Sequence, residues 1–134
     1  MADIPEGFAI HTRSSAVTKP WEPIYARQTE NALQLGLVIG EAHCNSRGFL
    51  HGGVIATLAD NAMGLTLARA AESAQGIVTT SLSLDYTGSG KLGQWLEIAP
   101  RLVTSSKSSG VVDAIISADS VTIARANATF RVFH

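Results

Sequence analysis

The sequence is short of charge, of cysteine and of long apolar runs. Asp, Glu, Lys and Arg make up 16% of its 134 residues, against about 25% in a typical soluble protein. Ten basic side chains face eleven acidic ones with no basic block, which excludes the electrostatic footprint of a nucleic-acid binder. The single cysteine, Cys44, cannot close an intrachain disulfide or build a zinc site. No apolar stretch reaches the roughly 18 residues of a membrane span. The opening MADIPEGFAI carries acids where a secretory leader needs positive charge. Phosphate loop, GxSxG elbow and metal-ligand spacing are all missing. These absences point to a cytoplasmic protein with no membrane or nucleic-acid partner, no metal and no cofactor.

What is present is a large apolar share, 46% of the residues, enough for a core in a chain of this size. The expectation is one domain over 1–134, with an irregular or short-helical segment over about 1–30 where Pro5, Pro20 and Pro23 break regular structure. Phe8-Ala9-Ile10 suits a short helix, and Pro20 to Tyr25 a turn with aromatic anchors. Sparse charge also leaves little polar cover, which suggests surface buried between copies.

Apolar alternation predicts a strand from Ala32 to Cys44, and Asn45-Ser46-Arg47-Gly48 is turn chemistry. A proline-free, alanine- and leucine-rich run predicts one long helix over Gly52–Glu72, with Gly76 as its stop. It is apolar nearly all round, the mark of a buried helix. Four strands follow at period two: Ile77–Tyr86, Gln94–Thr104, Gly110–Ala118 and Val121–Phe133. Gly88-Ser89-Gly90, Ser105–Ser109 and Asp119-Ser120 separate them, each short enough for a hairpin or tight turn. Ala124, Ala126 and Ala128 give the last strand a small-residue face that a helix can approach. The order implies an α+β fold: a curved antiparallel sheet wrapped around one central helix.

His51, Gly52 and Gly53 stand where the helix begins. Free N–H groups point outward there, and glycines admit close approach. Fixed donors of this kind make an oxyanion hole. Asp60 lies two turns on, between Ala56 and Gly64, and a carboxylate in apolar surroundings needs a partner or a task. Plainer readings exist: a turn at the glycine pair, a helix-end hydrogen bond for His51, a polar pair of Asp60 with Asn61 across an oligomer interface. Cys44 reads as an inert strand residue, and Thr79, Ser81, Ser83 and Asp85 as one solvated strand face.

The combination of Asn45, His51-Gly52-Gly53 and Leu58-Ala59-Asp60 resembles the hotdog-fold thioesterase superfamily, in the branch of the phenylacetate-pathway thioesterase and thioesterase superfamily member 2. Pro20 to Tyr25 and Leu84-Asp85-Tyr86 resemble segments of that family too. The resemblance implies an acyl-CoA substrate in a groove between two subunits. It implies the Gly52 amide at the thioester carbonyl, with Asn45 near the same centre. His51 would shape the loop or polarise the thioester, Gly53 and Asn61 would line the substrate, and Asp60 of the partner subunit would be general base or nucleophile. A strand hydroxyl would position water, with Thr79 the best match and Thr80 and Ser81 beside it. Gly52 and Asp60 are eight residues apart, about 12 Å along a helix. One reacting carbon cannot span that, so the resemblance requires a homodimer, alone or as a dimer of dimers. A hydratase or dehydratase of the same fold, and a non-enzymatic acyl-CoA binder, are the rival readings.

Overall fold

The computed structural model describes residues 3–134. Its strands are β1 (Ala9–Ile10), β2 (Tyr25–Gln28), β3 (Leu33–Val38), β4 (Gly76–Tyr86), β5 (Trp95–Ser105), β6 (Ser109–Ala118) and β7 (Val121–Phe133). The single α-helix, α1 (Gly52–Ala70), lies between β3 and β4 in the chain. All seven strands join one antiparallel sheet in the order β1-β2-β3-β5-β6-β7-β4.

The sheet wraps α1, as the resemblance implies. The inward residues of β7, Ala124, Ala126 and Ala128, are buried against the helix side, while Arg125, Asn127, Thr129 and Arg131 face out. From the helix come Val54, Leu58, Ala62, Met63 and Leu67, none more than slightly exposed. Leu35, Leu37, Leu96, Ile98, Val112 and Ile116 close the core from the central strands. Gly110 marks a close approach: a Cβ there would stand 2.5 Å from Leu67 Cδ1. The turn between β6 and β7 holds Asp119 and Ser120 at φ +46° and +68°, the left-handed pair of a two-residue hairpin whose twist matches the strands.

Several expectations need correction. Phe8-Ala9-Ile10 is not helical: Phe8 packs edge-on against Trp95 with ring centroids 5.0 Å apart, and the next two residues pair with Tyr25 and Ala26. The segment Tyr25–Gln28 is a strand, β2. The strand foreseen over Ala32–Cys44 stops at Val38, and Glu41–His43 forms a 3-10 turn. The helix ends at Ala70, and Gly76 begins β4 rather than stopping α1. Gly88-Ser89-Gly90 does not close a hairpin, because β6 and β7 lie between β4 and β5. This connection crosses the sheet end instead, hydrogen-bonding to Ile123 O on one side and to Leu50 N on the other.

The two sheet edges differ. β1 is two residues long, a short edge that offers little backbone for pairing. β4 is eleven residues long. It pairs with β7 alone, so along its other side its N–H and C=O groups meet no strand among the described residues. Val78, Leu82 and Tyr86 on this strand are well exposed.

Candidate active site

The loop before α1 is built by its own side chains. Asn45 Oδ1 accepts from the backbone N–H groups of Arg47 (3.0 Å) and Phe49 (3.2 Å), which fixes the turn the sequence predicts. That oxygen faces its own loop, so the Nδ2 amide is the part of Asn45 left to reach outward. The carbonyl of buried His43 accepts from His51 N–H at 2.9 Å, and its Nε2 meets Trp21 O at 2.9 Å. Trp21 thereby anchors the N-terminal segment beneath the loop.

His51 is the N-cap of α1: its Nδ1 accepts from Gly53 N–H at 2.8 Å. The geometry fixes the chemistry of the ring. Nδ1 has no proton to give, so neutral His51 carries its proton on Nε2 and presents a donor. Gly53 N–H is occupied by this bond, so among the three residues at the helix start Gly52 alone keeps an N–H with no acceptor among the described residues. The two glycines have a cause the sequence does not reveal. A Cβ at Gly53 would lie 3.0 Å from His51 Nδ1, and one at Gly52 would lie 3.3 Å from the Tyr86 ring. The space is filled by this chain's own rings. Tyr86 donates its hydroxyl proton to Gly52 O at 2.7 Å. In the sequence Tyr86 stands out only as the end of a strand and as part of a resembling segment. Its contact spans 34 residues and follows from the crossing of β4 to the far edge.

Asp60 is half-buried on α1, and its Oδ1 accepts from Thr79 Oγ1 at 2.7 Å. A β-bulge puts Thr79 there. Thr79 pairs with Phe130 and Ser81 with Thr129, so Thr80 is extra. The bulge breaks the period of two, and the face expected to hold Thr79, Ser81, Ser83 and Asp85 divides. Thr79 turns toward the helix; Thr80 meets Thr129 on the outer face at 2.8 Å, and Asp85 pairs there with Arg125 at 2.8 Å.

Asp60 and Thr79 line a groove of about 470 Å³ that runs past Asn61, Gly64 and Ala68. His51 and Gly53 line a separate one of about 400 Å³ with His43, Cys44 and Thr57. The two share no residue. One chain therefore brings Asp60, Asn61 and Thr79 together, and brings His51, Gly52 and Gly53 together at the helix start with Asn45 in the loop before them, but does not join the two sets. A larger concavity of about 590 Å³ lies on the outer sheet face around the pairs Arg101–Asp113 and Asp85–Arg125 and shares no lining residue with either groove. Burial pushes the half-buried Cys44 thiol up, with Glu41 adding to it, which disfavours a thiolate nucleophile.

No helix among the described residues is long and apolar enough to cross a membrane. Residues 47–124 match the thioesterase superfamily. The chain is 40% identical over 103 residues to the proposed esterase PA0474 of Pseudomonas aeruginosa, covering 76% of this chain and 77% of that one. Among solved structures it is similar to smu.793 of Streptococcus mutans bound to acetyl CoA, at 28% identity and TM-score 0.75, covering 92% of this chain and 94% of that one. The fold is also that of zebrafish thioesterase superfamily member 2, at 19% identity and TM-score 0.80, covering 89% and 88%. With its seven-stranded sheet around one helix, this chain belongs to the hotdog-fold thioesterase superfamily.

Proposed function

We propose that the chain, read as one domain over 1–134, is a cytoplasmic acyl-CoA thioesterase that works as a homodimer or a dimer of dimers. The observation that carries this is the division of the site. A hydroxyl-bound carboxylate lies in one groove and an unengaged helix-start amide near another. Two copies arranged about a two-fold axis unite them. The CoA ligand of the Streptococcus mutans relative supports a CoA ester as substrate.

In this reading Gly52 N–H and the Nε2–H of His51 face the thioester oxygen from one subunit. Asp60 of the other takes a proton from water, which Thr79 helps to place. The water oxygen bonds to the carbonyl carbon, negative charge gathers on the thioester oxygen, and the C–S bond then breaks. The proton that Asp60 took passes to the sulfur, so CoA leaves as the thiol, and the acid departs. Losing one oxyanion donor costs roughly 3–4 kcal/mol of barrier in such sites, and a general base adds about 10²–10⁴-fold. The hydratase reading requires His51 to exchange protons as a base, and its Nδ1 is held by Gly53 N–H.

The bare edge of β4 supplies the contact surface. Antiparallel pairing of β4 with its copy, centred on Ser83, sets Leu82 against Leu84 of the partner subunit. It also sets the Thr79–Thr80 bulge against Tyr86 of the partner subunit. Thr79 and Tyr86 are about 20 Å apart along one strand, and the two-fold turns that separation into adjacency. Each mouth then holds Asp60 and Thr79 of one chain and Gly52 of the other.

The test is Asp60→Asn assayed for thiol release over short, long and aromatic acyl-CoAs. The expected result is a loss of about 10²–10⁴-fold in turnover, with dimer and CoA binding retained. Undiminished turnover rejects the role of Asp60. Binding without turnover by the unaltered protein across the panel leaves the acyl-CoA binder, and hydration of an enoyl-CoA selects the hydratase.

A further inference from the structure

We infer that Tyr86 is a positioning residue for Gly52, restraining the first residue of the helix so that its N–H keeps the orientation that an oxyanion donor needs. The inference rests on the proposed role of Gly52. It begins from a difficulty in the sequence. Two consecutive glycines are the most conformationally free pair a chain can have, whereas oxyanion stabilisation depends on donors fixed before charge develops. Something must remove that freedom.

The structure supplies a ring on each glycine. On Gly53 it is His51, which caps the helix and binds the Gly53 amide. On Gly52 it is Tyr86. The phenol lies 3.3 Å from where a Cβ would stand, and its hydroxyl donates to Gly52 O at 2.7 Å. A carbonyl has two lone pairs, so the helix ladder and Tyr86 can share it. The Gly52 N–H lies in the preceding peptide, whose His51 carbonyl accepts from Val54 and Ile55 N–H. With the following carbonyl tied by Tyr86 and the Cα between them backed by its ring, rotation on both sides of Gly52 is restrained and the N–H keeps one direction. The tyrosine reaches this place from the last residue of the free edge strand, so the strand that carries Thr79 to Asp60 also carries Tyr86 to Gly52.

The experiment is Tyr86→Phe, which removes the hydroxyl and keeps the ring. The bond is neutral and half-exposed, so the expected loss in kcat is about 5- to 10-fold, with KM and the affinity for CoA unchanged within about 2-fold. The Gly52 amide resonance of the uniformly 15N-labelled protein should shift and exchange faster with solvent, and that of Gly53, whose nitrogen is bonded to the carbonyl that Tyr86 holds, should shift with it. Tyr86→Leu, which loses ring and hydroxyl, should fall further in kcat. A Tyr86→Phe protein with unchanged kcat overturns the inference, as does one whose only change is a lower Tm. If the unaltered protein cleaves no acyl-CoA, the thioesterase proposal fails, and the Gly52 resonance alone decides whether Tyr86 restrains that residue. An unmoved resonance rejects it.

Discussion

Thr79 and Asp60 lie 19 residues apart in the chain and 2.7 Å apart in space, hydroxyl to carboxylate. The bond leaves Oδ2 of Asp60 and the groove beside it open to a water molecule or a substrate. It also fixes the rotamer of a carboxylate whose helix neighbours, Ala56 and Gly64, are too small to hold it.

Thr79→Val removes the hydroxyl at nearly constant shape. A hydrogen bond to a charged group contributes about 1.5–3 kcal/mol, so kcat is expected to fall about 10- to 100-fold. Thr79→Ser should recover most of it, and Thr80→Val, on the outer face, should change little. Steady-state thiol release separates the three, and equal activity of the valine variant at position 79 removes the threonine from the mechanism.

The proposed subunit pairing can be trapped. With Ser83 on the two-fold axis, opposed Cα atoms of the two subunits stand about 4.5–5.5 Å apart, within disulfide reach. Ser83→Cys in a Cys44→Ala background should give a covalent dimer under mild oxidation, seen on a non-reducing gel. Ser81→Cys should not, since its counterpart would sit several residues along the strand. The reverse pattern rejects the register.

Acid should weaken the fold through His11. Burial lowers the affinity of its ring for a proton, Arg13 lowers it further and Glu22 partly offsets this. Its Nε2 is buried without a hydrogen-bond partner among the described residues. The folded state thus binds the proton less readily than the unfolded chain. Stability from this residue is present above the ordinary histidine range, near 6.5, and declines as pH falls through it. Thermal melts between pH 7.5 and 5.5 should show Tm dropping, with a shallower slope in His11→Phe. Equal slopes would remove His11 as the cause.

The β6–β7 turn offers a gain. Ser120 sits at φ +68°, where a side chain is disfavoured and glycine is not. Ser120→Gly is expected to add about 0.5–1 kcal/mol of stability, read as a higher urea midpoint at unchanged slope.

Periodicity revealed most of the architecture. A long proline-free apolar run and four alternating segments suffice for α1 and β4 to β7, and the last strand carries its alternation plainly from Val121 to Phe133. β1 and β2 escaped because they are short, and because Arg27 and Gln28 hide the alternation. The place of β4 escaped as well, since a glycine-rich connection has the same local chemistry in a hairpin and in a crossing. Within the site, His51, Gly52 and Asp60 were legible as residue types that need a reason. Tyr86 was not, because its task depends on which strand borders which.

The bulge on β4 has one more outcome. Phe130 and Thr129, the partners of Thr79 and Ser81, are consecutive, so Thr80 has no counterpart across the ladder. Excising it would join two positions already in register, at the cost of the Thr80–Thr129 hydroxyl pair on the outer face. The interval between acid and hydroxyl is therefore elastic by one residue at constant geometry, and a pattern search that fixes this interval would pass over proteins built to the same plan.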